Sequence, residues 1–228
     1  MANAKRKRTL WAVVPLKSLR DSKNRLADVL CAEEREALVT AMGRDVLATL
    51  SATPGVDGVM VVSNTTAIAD IASEYGASVV PEGERPGLSE AVASTARRLA
   101  KDQIGAMMVV HGDIPLAMAS DFQTVIANAA PPPSITIVPC WHDDGTNVMI
   151  CAPPDILPFH YGPGSYRAHQ RAARQAGVAV TTVRVPNLEL DIDTPEDLAR
   201  LIEHYEKGET GPATAQFLSG FKPLSRLG

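Results

Sequence analysis

Short apolar runs rich in β-branched residues recur along the chain, at TLWAVVPL (9–16), GVMVVS (58–63), AMMVVH (106–111), SITIVP (134–139) and VAVTTVRV (178–185). Their length and composition predict strands. Between them, helix-period patterns cover 33–51, 66–75, 88–103, 120–130, 165–176 and 195–207. The last is opened by Thr194 with Pro195 at the first helical position. This alternation predicts an α/β fold, a mostly parallel mixed sheet flanked by helices. No internal repeat or mid-chain linker interrupts it. The expected layout is a flexible basic tip over 1–8, one domain over 9–207, and a tail over 208–228 with little periodicity, either mobile or docked on a partner subunit.

The stretch NLELDIDTPEDLARLIEHYEK (187–207) adds chemistry to this pattern. Read as a strand entering a helix, it places Glu189, Asp191 and Asp193 on one side and Leu188, Leu190 and Ile192 on the other. Carboxylates this close repel, so that side meets either open water or a positive partner.

Ligands of such sheets gather outside the carboxyl ends of the strands, which directs attention to the loops PLKSLRDSKNRL, SNTT, HGDIP and CWHDDGTN. The first carries Lys17, Arg20, Lys23 and Arg25. Such a cluster suits a polyphosphate, which needs point charges from Lys and forked donors from Arg; a solvated basic turn is the plain alternative. In HGDIP, Asp113 lies just beyond an apolar strand, where a carboxylate either shapes a turn or holds a hard cation such as Mg²⁺. The acidic side at 189–193 favours the cation, since both carboxylate sets need one.

Three further stretches offer binding groups. In YGPGSYRAHQ, Gly162 and Gly164 precede a helix starting near Ser165, so helix-start amides and a serine hydroxyl make an anion site while Ser165 caps the helix. His169 follows four residues later on the same helix face, as a substrate contact or a packed side chain. In DDGTNVMI, Gly145, Thr146 and Asn147 enter another apolar run, either as a ligand approach or as a hairpin turn. Gly87 and Ser89 in GLSEA open a helix beside a candidate nucleotide pocket, although an ordinary amphipathic helix explains them too.

Composition narrows the class. The 228 residues are 45% hydrophobic and 21% charged, as in one globular domain. A net charge of -4 gives no general attraction to nucleic acid or an anionic membrane. The apolar stretch after the basic start is shorter than the ~18 residues of a membrane span. Cys31, Cys140 and Cys151 form no CxxC pair, which suggests neither a disulfide framework nor a zinc knuckle and fits a reducing cytoplasm. P-loop, GxGxxG, GxSxG and HExxH motifs are absent from the sequence. A basic loop, metal-binding carboxylates and glycine-rich anion sites remain, the equipment of phosphoryl or nucleotidyl transfer.

Taken together and in this order, VPLKSLRDSKNRLADVL, GDIP, GTN, GPGSYRAH and LDIDTPEDL resemble the guanylyltransferase family of coenzyme F420 biosynthesis, known as CofC or FbiD, over residues 11 to about 203. The resemblance implies a single nucleotidyltransferase domain of the glycosyltransferase-A (Rossmann-like) type. It implies transfer of GMP from GTP to 2-phospho-L-lactate, phosphoenolpyruvate or 3-phospho-D-glycerate with release of pyrophosphate. Mapped by position, Lys17 belongs to the nucleotide loop, joined by Lys23, Arg25, Gly87 and Ser89. Asp113, Asp191 and Asp193 hold Mg²⁺ and, with Lys17, are the catalytic set. Thr146, Gly164, Ser165 and, adjoining them, His169 face the phospho-acid. Ser89 stands where the family pattern leads one to expect Asn. The implied partners are GTP and a small phospho-acid, with a homodimer and a downstream transferase of the F420 pathway as open candidates. The alternative reading is a sugar-nucleotide-dependent glycosyltransferase with Asp191-Ile192-Asp193 as its metal motif.

Overall fold

The computed structural model describes residues 9–16, 23–83, 86–142 and 144–220. Seven strands, β1 (Leu10–Pro15), β2 (Gly58–Val62), β3 (Ser78–Val80), β4 (Ala106–Val110), β5 (Ser134–Pro139), β6 (Thr146–Ala152) and β7 (Ala179–Thr182), form one sheet in the order β3-β2-β1-β4-β6-β5-β7. β1 pairs in parallel with β2 and β4, β2 with β3, and β5 with β7. β6 alone is reversed, antiparallel to both β4 and β5. That reversal brings the start of β6 to the sheet edge where β1, β4 and β5 end.

The central strands are buried on both faces because helices cover both. Along β1, Ala12 and Val14 point into one apolar cluster and Val13 into the other, as strand alternation requires. The first cluster takes residues from α1 (Ala32–Ala52), α2 (Thr66–Glu74), α4 (Ala119–Ala127) and α6 (Pro186–Glu189). The second takes them from α3 (Leu88–Lys101) and α5 (Ser165–Gln175). A third cluster joins α1 to α7 (Pro195–Glu206) and α8 (Pro212–Gly220) through Leu38, Met42, Leu198, Leu201 and Leu218. No described helix is long and apolar enough to cross a membrane.

Three local differences from the sequence reading have physical causes. The segment 187–193 is not a strand: Pro186 opens the four-residue α6, and residues 190–193 run on outside the sheet into α7. Leu188, Leu190 and Ile192 are nevertheless buried, as the alternation predicted. β3, three residues at the sheet edge with two of them exposed, lacks the apolar signal that marks its neighbours. The segment after Gly208 forms α8 on the domain's own α1, where buried Asp45 accepts hydrogen bonds from Ala213 N–H (2.9 Å) and Thr214 N–H (2.8 Å) at the helix start.

Candidate active site

A cleft of about 750 Å³ opens at the edge where β1, β4 and β5 end and β6 begins. Pro15, His111, Asp113, His142, Thr146 and Asn147 each reach its wall from one of those strand ends. Asp191 and Asp193 come from the segment before α7. Two backbone bonds sew the parts together: Ile192 N–H donates to Asp113 O (3.1 Å) and His111 N–H to Asn147 O (3.0 Å). A Cβ at Gly112 would press on the end of the Leu16 side chain, which would have to move aside.

Of the two readings of the acidic side, open water or a positive partner, the structure gives a positive partner, Lys23. Its ammonium lies between Asp113 Oδ2 and Asp193 Oδ1, bonded to both, on a side chain only 8% exposed. Burial opposes the lysine's charge, but the attraction of Asp113 and Asp193 outweighs it and raises the pKa. Burial likewise opposes ionisation of Asp113; the fields of Lys23 and His111 and the Lys23 hydrogen bond prevail, and its carboxyl titrates below the ordinary range. Asp191 is different. Burial, with the charges of Asp113 and Asp193, raises its pKa against hydrogen bonds from Cys140 and Asn147. Asp113 Oδ1 is buried and has no hydrogen-bond partner among the described residues. Three carboxylates thus confront one buried ammonium, with Arg25 also on the cleft wall.

Two residues hold these carboxylates in place. Buried Asn147 directs its amide to Asp191 Oδ1 (3.1 Å) and to Leu188 O and Glu189 O. Asp197, fully buried in the first turn of α7, accepts from Asp193 N–H (3.1 Å), Thr194 N–H (2.8 Å) and Thr194 Oγ1 (2.7 Å) with one oxygen. Its other oxygen accepts from Trp141 Nε1 at 3.2 Å. Thr194 Oγ1 in turn accepts from Asp197 N–H, completing a capping box. Glu189 turns away and pairs with Arg184 at 2.8 Å.

Thr146, Gly164 and Ser165 also line the cleft. Gly164, at φ 73, is the N-cap of α5, a conformation that favours glycine. Ser165 does not cap the helix: its hydroxyl donates to Thr146 Oγ1 at 3.2 Å. The first-turn amides of Ser165 and Tyr166 are engaged by Gly162 O and Asp144 O, so the helix start offers an anion fewer amides than the sequence implies. His169, 1% exposed, sits behind Thr146 rather than in the cleft wall. Its Nε2 accepts from His160 N–H (2.9 Å), which places the ring proton on Nδ1 facing Thr146 Oγ1 (3.3 Å). Burial, with the nearby His160 and His111, lowers its pKa to about 4. Receiving two donors, Thr146 keeps its own hydroxyl proton for a further acceptor.

Comparison with known proteins decides the family. The model of the family described as "Guanylyl transferase CofC like" matches residues 10–219. The chain belongs to the CofC-like guanylyl transferase family. Among its relatives, phosphoenolpyruvate guanylyltransferase of Rubrobacter xylanophilus is 37% identical over 193 residues, covering 85% of this chain and 93% of that protein. The 3-phospho-D-glycerate guanylyltransferase of Colwellia psychrerythraea is 35% identical, covering 83% and 89%. Solved structures share the fold: a protein of Desulfovibrio desulfuricans G20 described as a nucleotide-diphospho-sugar transferase has TM-score 0.75 at 14% identity over 96% of both chains. A nucleotidyl transferase from Methanothermobacter has TM-score 0.62 at 18% identity over 88% of this chain and 99% of that one. The protein is a nucleotidyltransferase enzyme, and its sheet is that of single-domain nucleotidyltransferases.

In this CofC-like chain, Gly87 and Ser89 stand apart from the carboxylates. They line a second cavity of about 730 Å³, separated from the cleft by Leu88 and Tyr161, which border both. Ser89 Oγ accepts from Tyr161 N–H at 2.9 Å and so ties the start of α3 to the loop before α5. Lys17 and Arg20 lie outside the described residues. Sequence reasoning missed Asp197, although the T-x-x-D spacing after Asp193 is a capping-box signal. It also missed Tyr161 OH, which, like Nε2 of His111 beside GDIP, is a buried polar atom on a cleft-lining residue with no partner among the described residues.

Proposed function

We propose that the cleft transfers GMP from GTP to a three-carbon phospho-acid with release of pyrophosphate, as a step in coenzyme F420 biosynthesis in the cytoplasm. The observation that carries this reading is the gathering of Asp113, Asp191, Asp193 and Arg25 around one cleft, with Lys23 bonded to two of the carboxylates and an unpartnered buried oxygen left on Asp113. The printed names of the relatives give phosphoenolpyruvate and 3-phospho-D-glycerate as acceptors; 2-phospho-L-lactate is the third acid of this size and charge.

An all-oxygen donor set suits Mg²⁺, which takes a few carboxylates and completes its shell with water and phosphate. Asp113, Asp191 and Asp193 would hold it, and the ion would neutralise charge on the triphosphate and on departing pyrophosphate. Lys23 then leaves its two carboxylates for the phosphates, joined by Arg25 and by Lys17 of the first loop. Thr146 offers its hydroxyl proton to the phospho-acid, with Ser165 and His169 fixing the direction of that proton and Gly164 shaping the approach.

In the reaction an oxygen of the acceptor phosphate attacks the α-phosphorus of GTP. A new P–O bond forms as the bond to the β,γ-pyrophosphate breaks, and the electron pair leaves with pyrophosphate. A phosphate monoester has its second pKa near ~6, so the acceptor phosphate is mostly a dianion at neutral pH and its attacking oxygen carries no proton. No side chain has to remove a proton, and catalysis is positioning and charge neutralisation. His169, neutral and with both nitrogens engaged, is a positioning residue on this account. Mass spectrometry of GTP, Mg²⁺ and each acid with the protein should find an acid joined to GMP through a diphosphate. No such product with any acid, alongside breakdown of a sugar nucleotide, would overturn the reading.

A further inference from the structure

The turn between β5 and β6 presents a second set of ligand atoms beside the carboxylates. Cys140 Sγ lies 2.8 Å from Asp191 Oδ1 and 3.1 Å from His142 Nδ1. The three ligand atoms all lie within 4.8 Å of one another, with Cys140 and Asp191 buried and His142 exposed. We propose that Cys140, His142 and Asp191 form a binding site for a borderline-soft divalent cation of the zinc class, with its fourth position open to the cleft, and that its occupation inhibits the enzyme.

Donor chemistry separates this site from the magnesium set. A thiolate, an imidazole and a carboxylate are ligands that Zn²⁺ takes readily, whereas Mg²⁺ wants oxygen throughout. Bonds of roughly 2.3 Å to sulfur and about 2.1 Å to nitrogen and oxygen hold tetrahedral ligand atoms about 3.5 Å apart. Cys140 therefore has to draw back from each neighbour by less than about 1 Å.

The ligands are anchored from behind. Cys140 N–H donates to Gly145 O at 3.1 Å and closes the turn. Trp141, next in sequence, is held by Asp197 and by the Arg200 guanidinium 3.7 Å above its ring, and it packs against the His142 ring at 4.8 Å. Asn147 holds Asp191. Such outer contacts orient ligands and strengthen metal sites. On binding, the Cys140 thiol proton passes to solvent as the S–Zn bond forms, while neutral His142 and ionised Asp191 each supply a lone pair. Asp191 belongs to both sets, so zinc withdraws it from the hard cation; only this inhibitory half rests on the proposed function.

Co²⁺ added to the nucleotide-free full chain is the first probe, because a cobalt–thiolate bond gives a charge-transfer band in the near ultraviolet. The band should appear in the wild type and in Asp113→Asn, vanish in Cys140→Ser and weaken in His142→Ala, with thermal melts reporting that each variant is folded. Zinc affinity, measured by competition with a chromophoric chelator, should fall at least ~10-fold in Cys140→Ser and His142→Ala. Absence of the band in the wild type, or an unchanged band in Cys140→Ser, overturns the site. The second arm titrates Zn²⁺ into the transfer assay at fixed Mg²⁺: the wild type should be inhibited, and Cys140→Ser should need at least ~10-fold more zinc. Equal sensitivity of the two proteins overturns the inhibitory role. A protein that binds cobalt through Cys140 but transfers no GMP would contradict the functional reading and leave the metal site standing.

Discussion

At the scale of residues, the site is an exchange of partners among charges. Lys23 neutralises Asp113 and Asp193, and Asp191 has hydrogen bonds from Cys140 and Asn147 instead of an ion pair within the described residues. Asp113→Asn and Asp191→Asn should each lower turnover at least ~10²-fold, the size of losing one strong electrostatic stabiliser, while circular dichroism shows an intact fold. Near-normal turnover of Asp191→Asn at limiting Mg²⁺ would remove it from the metal set. His169 gives a pH prediction. Its folded pKa of about 4 lies below the ordinary histidine value of 6.5, so the unfolded chain binds the proton more tightly. The histidine's contribution is complete above the unfolded value and lost as pH falls through about 4, a decline on the order of 3 kcal/mol. Denaturant melts between pH 7 and pH 4 should therefore show a shallower decline for His169→Gln than for the wild type.

At the scale of elements, α7 is the part that fixes Asp193, through Asp197. Asp197→Asn puts an amide donor among the N–H groups of Asp193 and Thr194, so the start of α7 should loosen. Such a variant should need several-fold more Mg²⁺ for half-maximal rate, with a smaller change in the KM for GTP. A purely structural role would lower the melting temperature and leave the Mg²⁺ dependence alone. What the sequence disclosed also divides by element. β1, β2, β4 and β5 were legible because strands buried on both faces read as continuous apolar runs. The same burial hides direction, so the reversal of β6 could not be read from TNVMICA. α6 escaped notice because Leu188, Leu190 and Ile192 alternate as in a strand while Pro186 starts a helix. The placement of Asp113 and Asp193 on one cation follows chain order poorly: Lys23 lies 90 and 170 residues away from them. The sequence nevertheless offered a positive partner as one of two readings of the acidic side, the other being open water, because like charges that close repel.

For the whole molecule, α8 closes the fold onto α1, and Asp45 is the fastening. It accepts from two amides at the start of a helix 168 and 169 residues away, where a negative charge also meets the positive end of the helix. Asp45→Ala leaves the buried Thr214 N–H and the half-buried Ala213 N–H without their acceptor and should cost about 2 kcal/mol, lowering the melting temperature by about 4–8 °C. No helical signal beyond Gly208 was visible because the partner of this helix is tertiary. The sheet order, by contrast, has a direct functional consequence: with β6 reversed, strand ends deliver Asp113, an asparagine and a threonine to the edge where the segment before α7 adds Asp191 and Asp193. The central claim is that this edge joins a guanylyl group to a phospho-acid. Acceptor-dependent pyrophosphate release tests it most directly, with the purified protein, GTP and Mg²⁺ supplied with phosphoenolpyruvate, 3-phospho-D-glycerate or 2-phospho-L-lactate in turn. The account predicts pyrophosphate only when one of these acids is present, and loss of that signal in Asp113→Asn. Pyrophosphate released equally without any acid, or with none of the three, would contradict it.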